Sequence, residues 1–114
     1  MKLLKFKIQK GEEVMKILED ECKKNNISSG AIISIIGAVD ECCISNMPKN
    51  DAKKDILTEY KQPMELSGIG EIRDKKPHIH CTLSQENNQT IHGHLHWAKV
   101  NIWYVSVFVL ISKN

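Results

Sequence analysis

All five histidines of this chain lie between His78 and His96, in two runs, His78-Ile79-His80 and His92-Gly93-His94-Leu95-His96. Neutral imidazole is the commonest metal ligand among side chains, and it titrates near physiological pH. Within each run the spacing is two, and residues two apart in a strand share a face. Between the runs stands Glu86-Asn87-Asn88-Gln89, a polar stretch that reads as a hairpin loop. Pairing Ser84 with Thr90 across it sets Thr82 opposite His92, His80 opposite His94 and His78 opposite His96. Opposed residues share a face with Cβ atoms about 4.5–5.5 Å apart. Two such imidazoles can grip one cation, and a third from the same face completes a three-ligand set. Three protein ligands with an open position is the arrangement of a catalytic zinc, and fourfold coordination keeps all five from binding together. A register slip of one residue would undo the arrangement.

Other chemistry-bearing residues are sparse. Cys81 alternates with His78 and His80, so it faces the other way, with Ile79 and Leu83, and reads as core. Cys42 and Cys43 are adjacent and point to opposite faces of a strand. Glu71 precedes the first histidine pair and is the candidate general base, the alternative being an ordinary exposed carboxylate. Arg73 is placed to hold an anion or simply to be solvated. Trp97 and Trp103 read as core or subunit packing, with a pocket wall as the alternative.

The elements that must position these residues follow in order. Leu4, Phe6 and Ile8 alternate with Lys5, Lys7 and Gln9, a half-buried strand. After Gly11, Glu12 and Glu13 suit an N-terminal helical turn. Val14, Ile17, Leu18 and Cys22 keep helical spacing up to Asn25-Asn26, about four turns. The Ile-rich segment from Gly30 to Val39 predicts a strand covered on both faces, with Gly37 marking a bulge or a close backbone approach. Residues 42–47 are expected to continue it. Residues 48–55 form an exposed loop. Strands are expected at 56–61 and 63–72, a turn at 74–76, the two histidine strands, and a buried strand at 100–111. One strand, one helix and then a run of strands means an α+β fold, with a mainly antiparallel sheet packed against one main helix.

The 114 residues and 41% hydrophobic content fit a single domain spanning 1–114. A domain this small gains from burying a face in an oligomer. The net charge is only +2, and Arg73 is the single Arg among sixteen Lys and Arg. Guanine reading leans on bidentate Arg, so composition argues against a sequence-specific DNA binder. Four cysteines with no Cys-x-x-Cys pair, and a charged, alternating Met1–Gln9 unlike a secretory leader, predict a cytoplasmic chain with reduced thiols. The apolar run at 100–111 is too short to span a bilayer, and no membrane partner is expected.

The segment from Gly68 to His80, Gly-Ile-Gly-Glu-Ile-Arg-Asp-Lys-Lys-Pro-His-Ile-His, followed by Gly93-His94-Leu95, resembles the PPC (plants and prokaryotes conserved) domain, also found attached to AT-hook motifs in plants. Gly11-Glu12-Glu13-Val14 is similar to the family's helix start and Ile36-Gly37-Ala38 to its "IGA" motif, so the likeness extends over nearly the whole chain. It implies a strand-helix-multistrand α+β fold, a homotrimer, and a fold similar to half of acetolactate decarboxylase, a zinc enzyme with a three-histidine site. Carried over by position, the family's "HxH" falls on His78 and His80, and its "GGH" on His92-Gly93-His94. The resemblance thus implies a divalent metal, zinc first, on His78, His80 and His94; His92, in place of the motif's first Gly, and His96, beyond the motif, are peculiar to this chain and stand as supporting side chains or alternate ligands. The leading reading places this site near a subunit boundary, where it binds or transforms a small anionic ligand. The competing reading is a DNA-binding or regulatory module without enzymatic activity, although no Arg-Gly-Arg-Pro core is present. A third is a trimeric scaffold without chemistry. Val105-Ser106-Val107 stands where many members carry a Glu in the last strand, and the sequence names no substrate or reaction.

Overall fold

Alternation of apolar and charged residues makes the first strand, β1 (Lys2–Ile8), and helical spacing makes α1 (Val14–Lys24). Seven strands follow: β2 (Ser29–Val39), β3 (Glu41–Asn46), β4 (Ile56–Tyr60), β5 (Met64–Arg73), β6 (Lys76–Ser84), β7 (Thr90–Lys99) and β8 (Val105–Ile111). These elements are taken from a computed structural model that describes residues 1–112. The strands form one sheet in the order β1-β8-β2-β5-β6-β7-β3-β4, with antiparallel pairing between all described neighbours. The expected α+β class is the observed one. No helix among the described residues is long and apolar enough to cross a membrane.

Helix α1 is shorter than the spacing predicted, eleven residues or about three turns. Glu13 lies outside it as the N-cap, and its carboxylate accepts from Met15 N at 2.8 Å and Lys16 N at 2.9 Å. The same carboxylate accepts from Ala98 N at 2.9 Å, which ties the helix start to β7. Val14, Leu18 and Cys22 are the buried stripe, and α1 packs against β1, β6 and β7. Ile79, Cys81 and Leu83 are fully buried in the same core. Each large apolar side chain there contributes about 1.5–3 kcal/mol. This inward anchoring of β6 turns its alternate residues outward.

Two expectations about β2 need correction. Ile33 is 48% and Ile36 55% exposed, so in the single chain only the helix-facing side is covered. The register of β2 also shifts around Ile33 against both neighbours, so the bulge lies there and not at Gly37. Gly37 is the close approach: a Cβ there would stand 2.0 Å from the Tyr104 carbonyl. Residues 42–47 do not continue β2 either. Asp40 N donates to the Lys99 carbonyl, and its carboxylate accepts from Asn101 N and Ile102 N at 2.6 and 3.2 Å. That corner carries the chain across the sheet, so β3 pairs with β7 and β4, with three strands between it and β2.

A candidate metal centre of three imidazoles

The register of the β6–β7 hairpin aims the histidines. Ser84 faces Thr90, Thr82 faces His92 and His80 faces His94, as the spacing predicted. On the other side Ile69 of β5 faces His80, and Ser45 of β3 faces His94. One outward row therefore runs Ile69, His80, His94, Ser45 across four strands. Glu71 faces His78 one step further along. The expected pairing of His78 with His96 does not form, because the β6–β7 ladder ends at His80 and His94. The cause lies in β7, where Cys43 faces Trp97 while Ile44 faces Leu95, leaving His96 as the extra residue of a bulge. A bulge twists a strand and re-aims its side chains. His96 accordingly turns its Nε2 to the Ser45 hydroxyl at 2.8 Å.

The ligating nitrogens of His78, His80 and His94 lie within 4.8 Å of one another. Nitrogens in a tetrahedral zinc set stand roughly 3.4 Å apart, given bonds of about 2.0–2.1 Å. Small side-chain rotations therefore close this set. The rings are in mutual contact, with centroids 4.9 Å apart for His78–His80 and His78–His94 and 5.8 Å for His80–His94.

Two features suit the three side chains to a cation. His78 Nδ1 lies 3.0 Å from Glu71 Oε2. A carboxylate there takes Nδ1–H and leaves Nε2 as the free lone pair, the support that ligating histidines commonly have. The bond to His78 and then the charge of Arg73 hold the Glu71 carboxyl below its ordinary value, so it is ionised at neutral pH. His94 is pushed down chiefly by desolvation, then by the charges of His78, His96 and His80, and Asp55 opposes the shift. The lowered value keeps His94 neutral, as coordination requires. Glu71, the candidate base, is thus engaged by a histidine.

Gly68 and Gly70 set the spacing of β5 and β6 at this point. A Cβ on Gly70 would come 2.2 Å from the His78 carbonyl, so only glycine lets β5 lie this close under the histidine strand. Two surface depressions meet at the imidazoles. One, of about 610 Å³, is floored by Gly68, Ile69 and Gly70 and walled by Glu71, His78, His80 and His92. The other, about 280 Å³, lies under the loop after β3 and adds Ser45, Asn46, Met47 and Asp55. Cys81 is fully buried on the opposite side, as expected for core. Trp103 is 66% exposed and lines a separate groove with Gly37 and Tyr104, so it is not core in the single chain.

Ser45 and Asp55 were missed by sequence reasoning. Ser45 depends on the crossing at Asp40, and Asp55 on where the exposed loop comes down. A polar residue in the buried run of β3 was the one available signal, for Ser45 alone.

The profile of the Plants and Prokaryotes Conserved (PCC) domain matches residues 1–113. A plant- and prokaryote-conserved protein from Pyrococcus horikoshii superposes with a TM-score of 0.84 at 24% identity, covering 100% of this chain and 81% of its own. A metal-containing protein from Archaeoglobus fulgidus gives 0.79 at 30% identity, covering 96% and 79%. A protein from Bacteroides thetaiotaomicron, named as a candidate DNA-binding protein, gives 0.81 at 24% identity, covering 98% and 79%. No curated protein sequence matches.

Proposed function

The chain belongs to the Plants and Prokaryotes Conserved domain family, and from that premise we propose that it is a metal-binding protein whose site is His78, His80 and His94. The observation that carries this reading is the convergence of three imidazole nitrogens within 4.8 Å, from two strands whose register aims them. The similarity to a metal-containing relative at 30% identity supports it. An all-imidazole set suits zinc among the available divalent ions. A cation bound there would supply Lewis-acid chemistry at an open position.

The chain's own residues do the rest. Glu71 orients His78. Gly68 and Gly70 bring β5 close enough for that contact. Ile69 and the two glycines give the larger depression an apolar floor, on which a small anionic ligand reaches the site with its charged end toward the imidazoles.

Ile33, Ile36 and Ile69 expose 48%, 55% and 64% of their surface on the outward face that carries the histidines. An apolar patch of this kind marks an association surface, and a homotrimer places the site beside a subunit boundary. Metal analysis of untagged protein tests the site. At least one equivalent in the wild type, lost in His80→Ala, supports it, and wild type free of metal after growth in zinc-replete medium sinks it.

DNA binding is the second reading, favoured by the naming of the Bacteroides relative. With a net charge of +2, affinity resting on phosphate contacts should be weak and should fall steeply with salt.

A further inference from the structure

We propose that Ser29, Arg73 and Lys76 form an anion-binding row on the histidine face, and that the ligand of this site is a small dicarboxylate with one end at the imidazoles and the other on this row. The inference deepens the small-anion reading above, and its imidazole end rests on that reading.

The three residues are cross-strand partners. Arg73 of β5 faces Ser29 of β2 on one side and Lys76 of β6 on the other. Directly opposed side chains share a face, with Cβ atoms about 4.5–5.5 Å apart. Residues two apart in a strand also share a face. The row therefore lies on the side of Glu71 and His78, with Ile69, His80 and His94 beyond them. All three residues are exposed. They offer a hydroxyl, a guanidinium and an ammonium to an anion, with no carboxylate in the row. Like charges set directly opposite each other destabilise a ladder. Here they stay unneutralised: among the described residues neither Arg73 nor Lys76 makes an ion pair, with Asp74 and Glu71 included. The charge of Arg73 reaches Glu71, but that carboxylate is bound to His78 Nδ1 and offsets at most one of the two cations. The row is also braced. Asp74 and Lys75 make the turn between Arg73 and Lys76 with φ of 54° and 64°, and Lys75 N donates to the Ser28 carbonyl at 3.2 Å. A like-charged pair held on a braced turn is a local conflict of the kind found at functional sites, and a bound anion resolves it. Arg takes a carboxylate bidentately. Lys76 stands two residues from His78, about 7 Å along the strand. One small molecule spans that distance, and it needs an anionic group at each end.

Isothermal titration of zinc-loaded, untagged protein with adipate and with hexanoate, its counterpart charged at one end only, tests this. The wild type should bind adipate about tenfold more tightly than hexanoate. The double variant Arg73→Gln, Lys76→Gln should keep its zinc, its circular dichroism and its affinity for hexanoate, and lose the preference for adipate. No binding of adipate, equal affinities in the wild type, or a preference that survives the double substitution overturns the row and leaves the metal site standing. If the wild type takes up no zinc, the imidazole reading falls, and the row is judged by titrating inorganic phosphate into the metal-free protein. Saturable heat that the double variant loses then supports the row. No saturable heat, or heat that the double variant keeps, overturns it as well.

Discussion

Glu71 Oε2 stands 3.0 Å from His78 Nδ1, across the β5–β6 ladder in which the two residues are direct partners. This contact favours the His78 tautomer with its proton on Nδ1 and leaves the other nitrogen free to join His80 and His94. Glu71→Ala should weaken zinc binding about 10- to 100-fold, the usual cost of removing such a support. Glu71→Gln keeps an acceptor for Nδ1–H and should lose less. Competition against a chromophoric chelator reads both. Equal affinity in all three proteins would remove Glu71 from the site.

The strand beneath the histidines gives a second prediction. A methyl group on Gly70 would meet the His78 carbonyl at 2.2 Å, so β6 must shift. Gly70→Ala should cost at least about 1–3 kcal/mol, as overpacking does, and should weaken metal binding with it. Urea denaturation of the metal-free protein measures the first effect and chelator competition the second. An unchanged midpoint would mean that the strands adjust freely.

This dependence also marks what was legible in the sequence. The two His-x-His runs, the polar loop between them and the alternation with Ile79, Cys81 and Leu83 are local, and they yielded the hairpin, its register as far as His80 and His94, and the burial of Cys81. The contact of Glu71 with His78 was not legible. It rests on the tight turn at Asp74 and Lys75, which take φ of 54° and 64° without glycine. The bulge at His96 comes from pairing with β3, a strand 51 residues earlier at Ser45, and no local pattern announces it. The exposed side of β2 was misread because Ile33 and Ile36 look like core in a sequence whose outward face is itself apolar.

Burial pushes the Cys81 thiol up to about 12 and the Cys42 thiol up to about 11, with smaller contributions from the charge of Cys42 on Cys81 and of Cys43 on Cys42. In the unfolded chain both ionise near their ordinary value of about 8.5. Below that pH neither state has lost the protons, and the stability they contribute is fully present. Above it the unfolded chain sheds protons that the native state keeps, so stability falls as pH rises toward 11, by up to about 1.4 kcal/mol per pH unit for each thiol. Urea midpoints at pH 7, 9 and 10 should drop accordingly, and the drop should flatten in the Cys42→Ala, Cys81→Ala double variant. The same slope in both proteins would contradict the assignment.

Glu13 caps α1 and also accepts from Ala98 N. Glu13→Ala strands three backbone donors and should destabilise by about 2 kcal/mol, read from the thermal or urea transition. A change under about 0.5 kcal/mol would show that water replaces the carboxylate.

The exposed isoleucines predict assembly. Ile36→Glu or Ile69→Glu should convert a trimer to monomer in sedimentation equilibrium, with the fold retained by circular dichroism. A wild type that sediments as a monomer, or a trimer untouched by either change, would place the contact elsewhere.

Whether His78, His80 and His94 together hold a metal decides the reading of this site. Anomalous scattering from a crystal of untagged protein, recorded on both sides of the zinc edge, tests it most directly. A peak is expected within bonding distance, about 2.0–2.1 Å, of one nitrogen from each of these three imidazoles. A peak that leaves out His78 or His94, or zinc-soaked crystals with no peak at the cluster, would contradict it.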